Sequence, residues 1–333
     1  MKTVIIAEAG VNHNGSPETA VALVDAAAQS GADFVKFQTF SAENIATAAV
    51  QKVNYQKLST DTNESQLDML RRLELSKKQH SQLVKRSKQL GIRFLSTGFD
   101  TLSIDMLCEL GVEYLKVPSG EITNLPYLRY VAGKNIPVIL STGMANMAEI
   151  ASAIDVFESV GLKRSNLTVL HCSTEYPTPM ELVNLNAMQT IRNAFHVEVG
   201  YSDHTRGIEV PIAAVALGAT VIEKHFTLDR GMAGPDHAAS LEPNELQSMV
   251  TAIRNIERAM GDGLKRANER EKSNIIGVRK SIVARIQIQK GETLTAGNLA
   301  VKRPGSGLSP MLWDQLIGSK AVRTFERDEL IEW

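Results

Sequence analysis

Almost every β-rich run in this 333-residue chain ends in side chains that can bind or transfer charge. The first run leads into Glu8 and then Asn12-His13-Asn14-Gly15, the second carries Lys36 and Gln38, and the third ends in Ser96-Thr97. The fourth carries Lys116 and leads to Ser119-Gly120-Glu121, and the fifth ends in Ser141-Thr142-Gly143. The sixth runs from His171 through Cys172, Thr174 and Tyr176, the seventh through Ser202-Asp203-His204, and the eighth ends in Glu223-Lys224-His225. Two ammonium groups, Lys36 and Lys116, arriving with the hydroxyls of Thr97, Ser119, Ser141, Thr174 and Ser202, suit a phosphate or carboxylate ligand. Either lysine taken alone could instead answer a neighbouring carboxylate such as Glu8 or Glu121.

His204 and His225 end consecutive runs. On adjacent strands, about 5 Å apart, two imidazoles reach one divalent ion and leave its other positions to water or substrate. Such an open site polarises a carbonyl oxygen. The alternative for either histidine is a hydrogen bond to a carboxylate such as Asp203. His237, in Gly234-Pro235-Asp236-His237, is a third candidate. Glu8 and Glu121 can serve as acid–base groups that handle water, or as fixed counter-charges to the lysines. Cys172 reads as packing, His13 as a turn residue or a support to a ligand, and His80 and His196 as structural or exposed.

These residues converge only if the elements place them at one end of one sheet. The candidate strands are 4–7, 34–37, 92–96, 114–117, 138–140, 167–170, 197–199 and 221–223, with amphipathic helical patterns between them at 17–30, 77–90, 147–160 and 184–194. Strand–helix alternation implies a parallel sheet, and eight units in about 260 residues fit a closed (β/α)₈ barrel, whose sites lie at the C-terminal strand ends. The polar stretch 41–63 follows the second strand and would lie over the barrel mouth, with a helix at 64–73 after it. Beyond a helix at 243–260, Gly261-Asp262-Gly263 breaks the rhythm. The expected domains are a catalytic barrel over 1–261, a linker over 262–280, and a small module over 281–333 with strands at 281–286 and 299–302.

The bulk properties agree with a compact enzyme. With 36 Lys+Arg against 37 Asp+Glu there is no global attraction to nucleic acid, and 43% hydrophobic residues support a large core. Two cysteines, Cys108 and Cys172, give no disulfide framework. No signal segment or membrane-length run is evident, so a cytoplasmic location is expected.

In order along the chain, Ala7-Glu8-Ala9-Gly10-Val11-Asn12-His13-Asn14-Gly15, Lys36-Phe37-Gln38-Thr39-Phe40, Pro118-Ser119-Gly120-Glu121, Tyr201-Ser202-Asp203-His204, Glu223-Lys224-His225-Phe226 and Gly234-Pro235-Asp236-His237 resemble the sialic acid synthases. Lys302-Arg303-Pro304-Gly305 is similar to the antifreeze-like (SAF) domain of that family, so the resemblance covers essentially the whole chain. It implies condensation of phosphoenolpyruvate with the open-chain aldehyde of an N-acetylated amino sugar, a transferase reaction that forms a carbon–carbon bond and frees phosphate. By resemblance, Lys36, Thr97, Lys116, Ser119, Ser141, Thr174 and Ser202 would hold phosphoenolpyruvate, with Thr174 standing where some relatives carry asparagine. His204 and His225 would hold Mn²⁺ or Mg²⁺. Gln38, Tyr176 and Asp236 would contact the sugar, and Glu8, then Glu121, would handle the water or the charge at C2, beside Lys116. Arg303 would reach the N-acetyl end of the sugar in the other subunit of a domain-swapped homodimer.

The leading expectation for the acceptor is N-acetylmannosamine, giving N-acetylneuraminate. The alternative is 2,4-diacetamido-2,4,6-trideoxymannose, giving N,N′-diacetyllegionaminate. More distant readings are a condensing enzyme for seven- or eight-carbon 2-keto acids, or a barrel that binds carbohydrate without catalysis.

Overall fold

The computed structural model describes residues 2–47, 52 and 64–333. They divide into two compact units, Met1–Gly261 and Asp262–Trp333.

Among the described residues, the first unit is a closed barrel of eight parallel strands with helices between them. The strands are β1 Val4–Gly10, β2 Phe34–Thr39, β3 Arg93–Gly98, β4 Leu115–Val117, β5 Val138–Ser141, β6 Leu167–Cys172, β7 Glu198–Asp203 and β8 Val221–His225. β8 closes on β1 in a register that runs from Val4 opposite Val221 to Glu8 opposite His225. Most strands extend past the span expected from sequence at their C-terminal ends. The polar residues there resemble loop starts in composition, yet in a barrel they remain in the strand ladder, and alternate ones point inward.

Strand periodicity explains how the site is built. Side chains alternate between the barrel interior and the helix-facing layer. Ile6, Phe34, Leu95, Ile139, Leu170 and Val221 form a buried apolar plug, with Val4 and Tyr114 packed against it. Two residues further along these strands come Glu8, Lys36, Thr97, Lys116, Ser141, Cys172 and Glu223. On β7 the plug position is Gly200, where an added Cβ would lie 2.6 Å from Leu170 Cδ2, and two residues on is Ser202. The barrel is therefore apolar up to one level and polar at the next. The helix-facing residues Ile5, Ala7, Val35, Phe37, Val117, Leu140, Val169 and Ile222 belong to the main core.

Local signals fix the helices. Ser16 caps Pro17–Gln29, Ser76 and Gln79 form a capping box on Lys77–Leu90, and Gly91 ends that helix at φ 73°. Of the stretch 41–63, Ala42–Ile45 is a short helix, while 48–51 and 53–63 lie outside the described residues. The following helix is Gln66–Leu73. His80 is buried, with Nε2 bonded to Thr39 Oγ1, and His196 ends a helix in the left-handed region. No helix among the described residues is long and apolar enough to cross a membrane.

In the second unit, β9 Ser281–Ala284 pairs antiparallel with β10 Leu299–Lys302. Its core is Ile282, Ala284, Ile288, Leu294, Leu299, Leu316, Phe325 and Ile331. The stretch 262–280, expected as a linker, carries a helix, Glu269–Val278. Asn268 and Glu271 cap it in a box, an N-terminal signal that outweighs the low apolar content of the segment.

Candidate active site

A cavity of about 820 Å³ opens at the C-terminal ends of the barrel strands. Glu8, Lys36, Gln38, Thr97, Lys116, Ser119, Glu121, Ser141, Thr174, Tyr176, Ser202, His204, His225 and Asp236 all line it. Of the residues given a role by the resemblance, Arg303 is the exception. It lies in the second unit, exposed, and its Nε donates to the Val278 carbonyl oxygen at 3.1 Å.

The floor of the cavity is a cluster of buried charges. Lys36 Nζ lies 2.8 Å from Glu8 Oε2 and 3.5 Å from Glu223 Oε2, and Lys116 Nζ lies 3.7 Å from Glu223 Oε1. Neither Oε2 atom has an aligned hydrogen-bond donor. Hydroxyls complete the layer: Lys36 Nζ donates to Thr97 Oγ1 at 2.9 Å, Lys116 Nζ to Ser141 Oγ at 2.7 Å, and Ser202 Oγ to Glu223 Oε1 at 3.0 Å.

The two glutamates differ in charge state. Burial pushes Glu8 up to about 7, more than Lys36 can offset. Burial works the same way on Glu223, but Lys116 and Lys36 outweigh it and hold that carboxyl down near 2. Lys36 is lifted above its ordinary value because Glu223 and Glu8 overcome its burial, whereas burial pulls Lys116 below its own. With Glu8 protonated, two ammonium groups face one carboxylate, and the floor is net positive.

Glu223 is the functional candidate that sequence reasoning passed over. Its neighbours Ile222 and Lys224 face the helices, so only the two-residue alternation from Val221 identifies it as inward-facing. Glu121 is different: it sits half-buried on a turn of 3₁₀ helix, Ser119–Glu121, and accepts from Asn124 Nδ2 at 2.6 Å. Ser119 Oγ accepts from the Gly143 amide at 2.9 Å and meets Cys172 Sγ at 3.4 Å. A Cβ on Gly143 would lie 2.6 Å from Thr174 Cγ2 and 2.9 Å from Ser119 Oγ, so glycine there leaves room for both side chains. Cys172 thus packs beside the cavity, and burial raises its thiol, which disfavours a nucleophilic role.

His204 and His225 face one another with ring centroids 5.4 Å apart. Tyr176 stacks on His204 at 4.1 Å and meets His225 edge-on at 5.7 Å. His204 Nδ1 is bonded to the Ser173 carbonyl oxygen, which fixes the tautomer and leaves the lone pair on Nε2. Burial holds His204 down at about 4 and His225 well below the usual histidine range, so both rings are neutral. His225 Nδ1 is buried without a hydrogen-bond partner, and Asp236 Oδ2 is 3.9 Å away. Two neutral, oriented imidazoles, one with an orphaned nitrogen, fit a divalent cation. Among the described residues, no group of three or more His, Cys, Asp and Glu is arranged to hold a metal, so this pair would leave most of the coordination shell open. Asp236 is buried and raised to about 6. His237 is engaged elsewhere, bonding Thr227 Oγ1 through Nδ1 and Asn14 Oδ1 through Nε2.

Comparison with known proteins places this geometry. The NeuB family profile matches residues 23–265, and the SAF domain profile matches residues 279–333. The chain is 55% identical over 330 residues to the N,N′-diacetyllegionaminic acid synthase of Campylobacter jejuni, with 99% of each chain covered. It is 46% identical over 335 residues to the enzyme of the same name from Legionella pneumophila, with 100% of this chain and 94% of that one covered. The crystal structure of an N-acetylneuraminic acid synthetase from Leptospira borgpetersenii superposes with a TM-score of 0.72 at 36% identity, covering 83% of this chain and 90% of that one.

Proposed function

The chain belongs to the NeuB family, and on that premise we propose that it condenses phosphoenolpyruvate with 2,4-diacetamido-2,4,6-trideoxymannose and water, giving N,N′-diacetyllegionaminate and phosphate. The observation that carries the acceptor is the 55% identity, over nearly all of both chains, to a protein named for that product. This favours the second of the two acceptors weighed from sequence over N-acetylmannosamine, since the solved N-acetylneuraminic acid synthetase stands at 36%. The cavity supports the same choice. Val11, Phe40, Leu70 and Phe99 form an apolar stretch of its lining, suited to the methyl groups of a deoxy, twice-acetylated sugar.

In this reading Lys36 and Lys116, with Thr97, Ser119, Ser141, Thr174 and Ser202, hold the phosphate and carboxylate of phosphoenolpyruvate. Charge-assisted hydrogen bonds from a net-positive floor supply the affinity. His204 and His225 would hold Mn²⁺ or Mg²⁺, which would supply Lewis acidity toward the acceptor's aldehyde. Gln38, Tyr176 and Asp236 orient the sugar so that its aldehyde carbon meets C3 of the enol. As the new bond forms, positive charge grows at C2, where the Glu223 carboxylate is the available anion. Glu8, midway in its titration near neutral pH, takes a proton from the water that adds to C2. As that tetrahedral centre collapses, the C2–O bond to phosphate breaks, the hydroxyl proton leaves with the phosphate, the ketone remains, and the proton held by Glu8 passes to the alkoxide formed from the aldehyde. Glu121, hydrogen-bonded at the rim, takes no part in the proton transfer. Arg303 engages the N-acetyl end of the sugar in a domain-swapped homodimer, and the use of phosphoenolpyruvate assigns the enzyme to the cytoplasm.

The bond broken tests this chemistry. With phosphoenolpyruvate labelled with ¹⁸O at the bridging oxygen, the label is expected in the released phosphate. Label in the keto acid would overturn the mechanism.

A further inference from the structure

The two histidines stand on strand tips that a single buried ion pair ties together. Asp203 immediately precedes His204 and Lys224 immediately precedes His225, and the two are register partners on β7 and β8. Lys224 Nζ lies 2.5 Å from Asp203 Oδ2, with both side chains fully buried. Both point away from the cavity, into the helix-facing layer.

The pair holds more than the two strands. Lys224 Nζ also donates to the Thr205 carbonyl oxygen, just past His204. Asp203 accepts from the Thr205 amide at 3.0 Å and from Thr205 Oγ1 at 3.1 Å. The chain on both sides of His204 is thereby anchored to the residue before His225. On the cavity side, His204 is held by Ser173 at Nδ1 and by the Thr178 amide at its carbonyl oxygen, 2.9 Å away. An ion pair in a dry layer gains little over an apolar pair of similar size, because desolvation offsets its attraction. Stability alone therefore does not account for charges at this place, whereas fixed geometry does.

We propose that Asp203 and Lys224 are positioning residues that set the separation of His204 and His225 and thereby the affinity of the site for its divalent cation. The proposal rests on the assignment of the two histidines as metal ligands. Residues that orient ligands in this way typically account for 10- to 100-fold in metal affinity.

The test titrates Mn²⁺ alone into the full-length protein and follows free Mn²⁺ by electron paramagnetic resonance. Asp203→Leu/Lys224→Met replaces the pair with apolar groups and leaves no unpaired charge. It is expected to melt within a few degrees of the parent and to keep its phosphoenolpyruvate affinity, while Mn²⁺ affinity falls about 10- to 100-fold. Asp203→Asn, nearly isosteric, decides the matter by the same criterion if the double variant does not fold. A folded variant that binds Mn²⁺ within about threefold of the parent overturns the proposal. His225→Ala separates the two levels: if it leaves Mn²⁺ binding unchanged, the ligand assignment falls, and if it abolishes binding while the brace variants do not, only the brace falls.

Discussion

Lys36 Nζ lies 2.8 Å from Glu8 Oε2, and both side chains are almost entirely withdrawn from solvent. Lys36 is shared with Glu223, and Lys116, which lies beside Glu223 as well, separates two carboxyls that would otherwise ionise alike. Glu223 stays a carboxylate, while Glu8 is poised near neutrality. A carboxyl at about 7 can take a proton and release it at working pH, which suits general acid–base work better than a fixed counter-charge.

Replacing Glu8 by Gln should therefore lower turnover by about 10²- to 10⁴-fold, the usual worth of a general acid–base group. The floor becomes no less positive, so the dissociation constant for phosphoenolpyruvate should stay within about threefold of the parent. Single-turnover phosphate release and calorimetric titration separate the two effects. Turnover within tenfold of the parent would remove Glu8 from the proton transfer and leave it a counter-charge.

Gly143 makes the room that Ser119 and Thr174 occupy, and its amide donates to Ser119 Oγ. Gly143→Ala should push both side chains out of place. We expect the KM for phosphoenolpyruvate to rise about tenfold, roughly 1.4 kcal/mol, with a smaller change in kcat and a melting temperature within a few degrees of the parent. An unchanged KM would mean that these hydroxyls do not touch the phosphoenolpyruvate.

Stability should fall in mild acid. Burial lowers His13 and His204 to about 4, below an unfolded value near 6.5. Above pH 6.5 neither state is protonated and no stability is lost. Between pH 6.5 and 4 the unfolded chain takes protons that the folded chain refuses, at about 1.4 kcal/mol per pH unit for each group. Glu8 acts in the opposite sense: its raised folded value means that stability is lost as pH rises from about 4.5 to 7. Urea midpoints at half-unit pH steps, at constant m, should therefore fall on acidification, and fall more steeply in Glu8→Gln. Equal slopes in the two proteins would contradict the assignment of Glu8.

Much of this site was legible because strand periodicity converts spacing into direction. Once eight short runs are taken as barrel strands, Lys36, Lys116, Ser141, Ser202, His204 and His225 must meet at one end, and they do. Glu223 was not legible as a floor residue, because Glu223-Lys224-His225 is a run of three ionisable groups whose directions only the barrel register decides. Asp203 and Lys224 were hidden for the same reason, being charged yet buried on the helix-facing side. The strand ends were placed short because polar inward-facing residues look like loop in composition. The helix Glu269–Val278 does not show in the hydrophobic pattern because its segment is charged and poor in apolar residues; the Asn268–Glu271 capping box is its sequence signal. Arg303 stands apart: its expected role came from resemblance, and the geometry of its own unit adds no support for that role.

A direct comparison of acceptors tests both the reaction and the choice of sugar. The purified full-length protein, with Mn²⁺ and phosphoenolpyruvate, would be offered 2,4-diacetamido-2,4,6-trideoxymannose and N-acetylmannosamine in separate reactions, with phosphate release followed and the products analysed by mass. Phosphate is expected to be released in step with N,N′-diacetyllegionaminate, at a kcat/KM at least about tenfold above that for N-acetylmannosamine. Preference for N-acetylmannosamine would contradict the acceptor, and no phosphate from either sugar would contradict the reaction itself.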